Sequence, residues 1–244
     1  MNPAQGVKLS IQNLAKVFGT HRILQHFNLS VSAGEFVSLL GPSGCGKSTL
    51  LRLIGDLEQP TSGEVKVETG QHKFFKSFVF QEPNLLPWRT LRQNLSLVFE
   101  LTRKKNDLKI NEVLHLVHLT QDADKYPNQL SGGMKMRASV ARALLTEPKL
   151  LLLDEPFSAL DENTRFRLQE ELYAIWLKHK MTIIFVTHSI SEAIFLSQRA
   201  VLLSGEPAQI VLDHKVQLPE KRDLWLRTDS RFISEVKLLS QSFK

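Results

Sequence analysis

One short stretch of the chain has the composition of a loop that holds nucleotide phosphates. It fits the pattern G-x-x-x-x-G-K-[S/T] and reads Gly41, Pro42, Ser43, Gly44, Cys45, Gly46, Lys47, Ser48, Thr49. Glycines tolerate positive φ angles and let backbone N–H groups converge on an anion. Lys47 supplies a positive charge for the outer phosphates, and the Ser48 hydroxyl can ligate Mg²⁺. This motif predicts a nucleotide site but does not separate kinases, GTPases, motors and pumps.

Cys45 is the single cysteine among 244 residues. An internal disulfide and a multi-cysteine metal site are therefore excluded. Two interpretations of Cys45 remain, a small residue at a variable position of the phosphate loop or a redox-active thiol, and we favour the first.

The segments around the loop indicate how it is positioned. Residues 35–40 are mainly apolar after Glu35 and predict a buried strand, and Lys47–Leu57 has helical spacing. A helix that starts at the loop directs its N-terminus at the phosphates. Alternation of apolar and polar residues predicts antiparallel strands at 7–11 and 27–31, and further strands are predicted at 64–68 and 74–80.

The spacing of apolar residues becomes helical over residues 84–146, and strands and helices then alternate. Strands are predicted at 150–153, 182–186 and 200–203, and helices at 161–180 and 189–196. This order predicts an α/β fold with a mainly parallel central sheet, an N-terminal antiparallel β region and an inserted helical subdomain. We place the main domain at 1–213 and a short tail at 214–244. The tail carries an apolar stripe that we expect to pack on the protein itself: Phe232, Ile233, Val236 and Leu239.

The composition and charge pattern of the chain argue against several classes of protein. The chain is 42% hydrophobic with a net charge of +6, and no apolar run approaches the ~18 residues of a membrane span. The N-terminus lacks the layout of a signal peptide. Basic residues are scattered apart from Arg103–Lys105, which we interpret as a solvated turn, so no nucleic-acid partner is expected. A cytosolic or peripheral location follows.

Further motifs combine with the phosphate loop in a fixed order. They are Val79–Glu82, Leu130–Met134, Leu150–Glu155 with Ser158–Asp161, and Phe185–His188. In this order and spacing, over about residues 7–213, the chain resembles the ATP-binding cassette ATPases of ABC transporters. The resemblance implies the P-loop NTPase fold, with ATP and Mg²⁺ at the loop.

The resemblance also implies roles for single residues. Asp154 corresponds to the carboxylate that holds Mg²⁺ opposite Ser48, although a strand-end Asp can also cap a helix. Glu155 corresponds to the residue that polarises the attacking water, and His188 to the residue that contacts the γ-phosphate. Gln81 corresponds to the glutamine that reaches Mg²⁺ and that water, and Phe18 to the aromatic residue that stacks on adenine.

The segment Ser131-Gly132-Gly133 opens a helix and exposes N–H groups to an anion. In the family this segment completes the ATP site of a second subunit, so two cassettes close head to tail, and Asp161 corresponds to the residue that couples the two sites. Met134 stands where Gln is common, and Met cannot hydrogen-bond as Gln does. We expect an active site; whether Met134 alters turnover stays open.

The segment Pro83–Thr90 borders, in the family, the groove that receives a helix of a membrane permease. Its Leu-Leu-Pro-Trp sequence is similar to that of the ATPases of importers in the nitrate, sulfonate, taurine and bicarbonate group. This resemblance implies integral permease subunits, a second ATPase subunit, a solute-binding protein, and a place on the cytoplasmic face of the membrane. The alternative for Leu85, Leu86 and Trp88 is packing within the subdomain. Alternatives for the whole chain are a non-transport ABC ATPase and a nucleotide-dependent regulatory module.

Overall fold

A computed structural model describes residues 6–68, 76–101, 106–158 and 160–242. The predictions for Arg103–Lys105, for the first two residues of the strand at 74–80 and for residue 159 lie outside these ranges. The described strands are Leu9–Phe18 (β1), His21–Val31 (β2), Phe36–Leu40 (β3), Ser62–Val67 (β4), Lys76–Val79 (β5), Leu150–Asp154 (β6), Thr182–Val186 (β7), Arg199–Ser204 (β8) and Gln209–Lys215 (β9). The described α-helices are Lys47–Ile54 (α1), Leu91–Leu101 (α2), Asp107–Leu116 (α3), Gly132–Leu144 (α4), Glu162–His179 (α5), Ile190–Leu196 (α6) and Ser230–Ser242 (α7).

The strands form two sheets. An antiparallel sheet has the order β2-β1-β4, and a larger sheet has the order β5-β6-β7-β3-β8-β9. The first five strands of the larger sheet are parallel, and β9 is antiparallel to β8. The predicted α/β fold with its mainly parallel sheet and antiparallel β region is confirmed.

The central strands are buried on both faces, as their continuous apolar sequence predicts. In β6, Leu150 and Leu152 face a core shared with α1 and the antiparallel sheet. Leu151 and Leu153 face a second core formed with α4, α5, α6 and α7. Polar side chains can then reach solvent only where these strands end.

A third apolar cluster lies within residues 85–145 and joins α2, α3 and α4. Helix α4 links it to the main body, because Met136 packs in the second core while Ala138 and Ala141 pack in the third. The helical subdomain therefore rests on the parallel sheet through the helix that Ser131 opens. None of the described helices combines the length and the apolar character that a bilayer-spanning helix needs.

Four elements differ clearly from the sequence interpretation. Strands β1 and β2 span Leu9–Phe18 and His21–Val31, whereas the alternation predicted only 7–11 and 27–31. Helix α1 ends at Ile54 rather than Leu57, because Gly55 and Asp56 follow and Asp56 adopts a φ of 57°. Strand β9 was not predicted, although its alternating half-buried and exposed residues carry the period-2 signal. It ends at Lys215, just past residue 213, and the division of the chain at that residue stays a prediction.

The C-terminal segment packs on the protein itself. Phe232 and Leu239 of α7 are buried in the second core and Val236 packs against it, while Ile233 is exposed. The guanidinium of Arg222 donates to the carbonyls of Ile194, Phe195 and Ser197 at 3.1, 2.7 and 2.9 Å. Arg222 thereby closes the C-terminal end of α6, where unpaired carbonyls accumulate.

Thr182, at the start of β7, ties the two sheets together. Its fully buried Oγ1 accepts from the N–H groups of Val7 and Gly34, both at 2.9 Å, and donates to the carbonyl of Val7 at 2.6 Å.

We expect Thr182→Val to lower the free energy of unfolding by about 2 to 4 kcal/mol, because two backbone donors lose their acceptor in the interior. Chemical denaturation measures this change. Thr120→Val is the matched control, since Thr120 is exposed and the same atoms are exchanged. A loss no greater than that of the control would show that the triple hydrogen bond does not hold the sheets together.

Candidate functional site

The predicted phosphate loop connects the end of β3 to the start of α1. Gly44 and Gly46 adopt φ angles of 84° and 95°, which only glycine takes without strain. A side chain at Gly46 would also meet Ile23 Cγ2 at 2.7 Å. The loop therefore has the wrapped backbone that the sequence predicts, with Pro42, Ser43 and Gly44 facing solvent.

Lys47 lies under this loop, with only 4% of its surface exposed. Its Nζ donates to the carbonyls of Gly41 at 2.9 Å and Pro42 at 2.7 Å. Cys45 is buried beside it, with Sγ 3.9 Å from the same nitrogen, and Thr49 is half-buried in the first turn of α1. The ammonium is thus fixed inside the loop, and an anion seated in the loop would meet it.

Ser48 and Asp154 bring the loop to the neighbouring strand end. The Ser48 hydroxyl donates to Asp154 Oδ1 at 2.8 Å. Burial raises the pKa of Asp154 above its ordinary value, while the Ser48 hydrogen bond and the charges of Arg52 and Lys47 act in the opposite direction. Two oxygen atoms that could ligate a cation therefore lie side by side. A nearby cation would stabilise the ionised form of the Asp154 carboxylate.

Glu155 and His188 form a second pair at the same edge of the sheet. Glu155 Oε2 lies 2.9 Å from His188 Nδ1, so a proton on that nitrogen joins the imidazole to the carboxylate. Glu155 has a φ of 44°, an uncommon conformation for a residue other than glycine. Its N–H nevertheless donates to the carbonyl of Val186 at 3.1 Å, which anchors the turn to β7. This backbone conformation occurs where Glu155 leaves the buried strand β6.

Gln81 follows the end of β5 and reaches the same region. Its Nε2 donates to Ser158 Oγ at 3.3 Å, and that hydroxyl donates to the carbonyl of Glu155 at 3.0 Å. The predicted glutamine therefore contacts the loop that carries Glu155.

Phe18 ends β1 and is 44% exposed. The Nζ of Lys16 lies 4.5 Å from the centre of its ring. The ring is accessible to a planar ligand, while its role as an adenine contact stays a prediction.

The Ser131 segment belongs to the helical subdomain. Ser131 caps α4 by accepting from the N–H of Met134 at 3.3 Å, and the Met134 side chain packs against the third cluster. A side chain at Gly133 would meet Thr164 Cγ2 at 2.6 Å, so only glycine lets α4 approach α5 this closely. Asp161 caps α5 by accepting from Thr164 N at 3.0 Å, and that bond lowers the pKa of Asp161. The predicted Ser131 and Asp161 segments are therefore neighbours.

Sequence reasoning missed a buried carboxylate behind His188. Glu192, in the first turn of α6, accepts from Thr187 Oγ1 at 2.6 Å and lies 3.7 Å from Arg165 Nε. Burial raises the pKa of Glu192, opposed by the Thr187 hydrogen bond and by the charge of Arg165. No sequence signal separates it from an ordinary acidic residue at a helix start.

A glycine-rich loop between a parallel strand and a helix, with a carboxylate at the end of the adjoining strand, defines a nucleotide-binding protein of the P-loop class. The profile of the ABC transporter family matches residues 24–158. The chain belongs to this family, as its ATP-binding and ATP-hydrolysing component.

Curated relatives agree with this assignment. An uncharacterized ABC transporter ATP-binding protein of Methanocaldococcus jannaschii is 42% identical over 237 residues, covering 93% of this chain and 88% of that protein. The aliphatic sulfonates import ATP-binding protein SsuB of Bacillus cereus is 42% identical over 225 residues, covering 88% and 89%. SsuB of Zymomonas mobilis is 43% identical over 220 residues, covering 88% and 90%.

Solved structures confirm the fold. A dimeric ATP-binding cassette in a post-hydrolysis state with ADP and Pi superimposes with a TM-score of 0.76 at 30% identity, covering 86% of this chain and all of that one. CbiO1 of Clostridium perfringens superimposes with a TM-score of 0.77 at 23% identity, covering 94% of each chain, which supports the fold alone.

The raised pKa of Asp154 has a consequence for stability. Because the pKa in the folded state lies above that in the unfolded chain, the ionised carboxylate destabilises the fold at pH values above the folded-state pKa. We expect Asp154→Asn to melt at a higher temperature than the wild type at about neutral pH without nucleotide. The difference should shrink as the pH falls through the folded-state pKa and vanish below the ordinary Asp pKa of about 3.9.

Thermal unfolding across this pH range is the measurement. Asp124→Asn is the control, because the Asp124 side chain is 92% exposed. A wild type that melts above Asp154→Asn at neutral pH would contradict the assigned cost of burying this carboxylate.

Proposed function

We propose that this chain powers solute import by hydrolysing ATP in a head-to-tail dimer that docks on an integral membrane permease. The observation that carries the proposal is the meeting of Lys47, the Ser48–Asp154 pair and the Glu155–His188 pair at one edge of the parallel sheet. Phosphoryl transfer depends on positioning and charge stabilisation. The Ser48–Asp154 pair would hold the cation, and the Glu155–His188 pair would position the attacking water.

The phosphate loop and Lys47 hold the triphosphate. Loop N–H groups and the N-terminus of α1 face the anion, and the Lys47 ammonium turns from the carbonyls of Gly41 and Pro42 to the outer phosphates. Phe18 stacks on the adenine through its exposed face.

Mg²⁺ fits the Ser48–Asp154 pair. The two oxygens are adjacent, and the charge of a cation would favour the ionised form of the buried carboxylate. No three Asp, Glu, His or Cys side chains cluster as a metal site in the described ranges, so phosphate and water oxygens would complete the shell that Mg²⁺ prefers. When bound, Mg²⁺ neutralises charge on the phosphate oxygens. We infer that Gln81, which contacts Ser158 in the loop after Glu155, would also reach the ion.

Glu155 acts as the general base in this mechanism. Its carboxylate accepts a proton from the attacking water, and His188, 2.9 Å away, holds the carboxylate in place and contacts the γ-phosphate. The uncommon φ of Glu155 fixes the direction in which its side chain leaves the strand.

The Ser131 segment acts on the nucleotide of the second subunit. A side chain at Gly132 would meet nothing within 4 Å, so packing inside this chain does not account for that glycine. Its exposed N–H at the start of α4 suits the phosphates of ATP bound to the other cassette. Asp161, beside Ser131 through Thr164 and Gly133, relays closure between the two sites.

The backbone of the segment at 83–90 is held by hydrogen bonds to neighbouring side chains, while its Trp88 faces solvent. The fully buried Asn94 accepts from Leu86 N at 2.7 Å and donates to the carbonyls of Leu86, Arg89 and Thr90. Arg142 donates to the carbonyls of Pro83 and Asn84. Leu85 packs against the helical cluster.

Trp88, by contrast, is 70% exposed, and a rigid exposed aromatic residue suits an interface. We infer that it docks on the permease at the cytoplasmic face of the membrane, where this chain is peripheral. The names of the SsuB relatives favour a sulfonate or a related small anion as the solute. We infer that a solute-binding protein delivers this solute.

We expect Glu155→Gln to bind ATP but to lose at least ~100-fold in turnover, because an amide cannot accept the proton. Closed dimers should accumulate with ATP. Phosphate release and light scattering measure the two effects. Glu112→Gln, an exposed carboxylate on α3, is the control. A Glu155→Gln protein that hydrolyses ATP at the normal rate would refute the assigned base.

We expect Trp88→Ala to retain the basal ATPase rate of the isolated protein but to lose most binding to membrane vesicles that carry the native transporter, since an exposed anchor is removed. Co-sedimentation measures this binding. Trp225→Ala, at an 80% exposed tryptophan of the C-terminal segment, is the matched control. Equal sedimentation of both variants would place the docking surface elsewhere.

A further inference from the structure

Glu192 holds the backbone on both sides of His188. It is 7% exposed and accepts from Thr187 Oγ1 at 2.6 Å, and the same hydroxyl accepts from Ser189 N at 3.0 Å. The residues before and after His188 are therefore fixed by one buried carboxylate. A displacement of Glu192 would be transmitted to the imidazole.

Arg165 connects Glu192 to the other side of the site. Its Nη2 donates to the carbonyl of Leu160 at 2.6 Å, and its Nε lies 3.7 Å from Glu192 Oε1. Leu160 directly precedes Asp161. A continuous chain of contacts thus runs from the Asp161 segment through Arg165 and Glu192 to His188.

The contact between Arg165 and Glu192 is incomplete. Arg165 Nε is buried, and within the described part of the chain it has no hydrogen-bond acceptor. The gap of 3.7 Å exceeds hydrogen-bond length by less than 1 Å, so a small shift of the Leu160 segment would close it. Buried donors without an acceptor are rare in native proteins, and each needs an explanation.

Stability alone explains this arrangement poorly. Ser189 already caps α6 by accepting from Glu192 N at 3.4 Å, and Asp161 already caps α5. Ion pairs add little net stability whether they are exposed or buried, and this one is half-buried, since the Arg165 side chain is 32% exposed. The pair lies directly between two segments of the site.

We propose that Glu192 is a positioning residue for ATP hydrolysis, which together with Arg165 transmits the position of the Leu160–Asp161 segment to His188. This inference rests on the proposed function, in which Asp161 senses the second subunit and His188 contacts the γ-phosphate. Closure of the dimer moves the Leu160 segment, the Arg165–Glu192 contact tightens, and Thr187 and Ser189 place the imidazole, which is already bonded to Glu155, against the γ-phosphate. Neither Glu192 nor Arg165 contacts the nucleotide.

The test is a double-mutant cycle with Glu192→Gln and Arg165→Lys. The Gln amide oxygen can still accept from Thr187, but the charge opposite Arg165 is lost. We expect each single variant to lower kcat about tenfold or more with KM and ATP affinity nearly unchanged, and the double variant to be no slower than the slower single variant. Melting temperatures should stay close to that of the wild type.

A matched pair controls for ionic contacts in general. Arg167 and Glu171 on α5 are joined by the same atom types, Nε to Oε1, at 3.1 Å, and Glu171→Gln with Arg167→Lys should leave kcat unchanged. A normal kcat in Glu192→Gln or Arg165→Lys, or losses that add independently, would overturn the inference. The inference would also be overturned if kcat fell only in variants whose melting temperature or ATP affinity fell as well. The proposed function fails separately, if Glu155→Gln hydrolyses ATP at the normal rate.

Discussion

Burial of the parallel sheet on both faces is the constraint on which the rest of the structure depends. Strands β3, β6 and β7 are buried along their whole length, so charged side chains can be accommodated only at their ends. Parallel pairing brings those ends to one edge, with Asp154 beside Val186 and Leu39 beside Val186 in register. The charged and polar side chains of the site lie at this edge because the buried faces of the sheet cannot accommodate them.

The same constraint makes the site costly in free energy. Asp154 with its raised pKa, Glu155 at a φ of 44° and the buried Nε of Arg165, which has no acceptor among the described residues, all lie within this edge or directly behind it. Proteins retain such features where function needs them, and they are offset by packing elsewhere. Here the two cores on either side of the sheet provide that packing.

The C-terminal segment belongs to this supporting structure. Arg222 closes the end of α6, and Arg227, whose pKa burial lowers to about 10, lies over the rings of Phe166 and Phe195. Arg227 also donates hydrogen bonds to Gln169 and Ser191. Helix α6 begins just after His188. The tail therefore braces the helix that carries the missed carboxylate Glu192, and its buried apolar residues serve the fold.

The sequence by itself determined the phosphate loop and the buried strands, because these depend on local spacing: glycines where φ is positive, and apolar runs where a strand has no solvent face. The family followed from the resemblance of its ordered motifs. The sequence also predicted which residues end those strands. Strand β9 was not predicted, and helix α1 was predicted too long because Gly55 and Asp56 end it. Only the tertiary structure decided which polar groups meet. The hydrogen bond of Ser48 with Asp154, the contact of Glu155 with His188 and the link from Leu160 through Arg165 to Glu192 join residues far apart in the chain. Such contacts depend on how strands and helices are arranged in space, and local spacing carries no information about that arrangement.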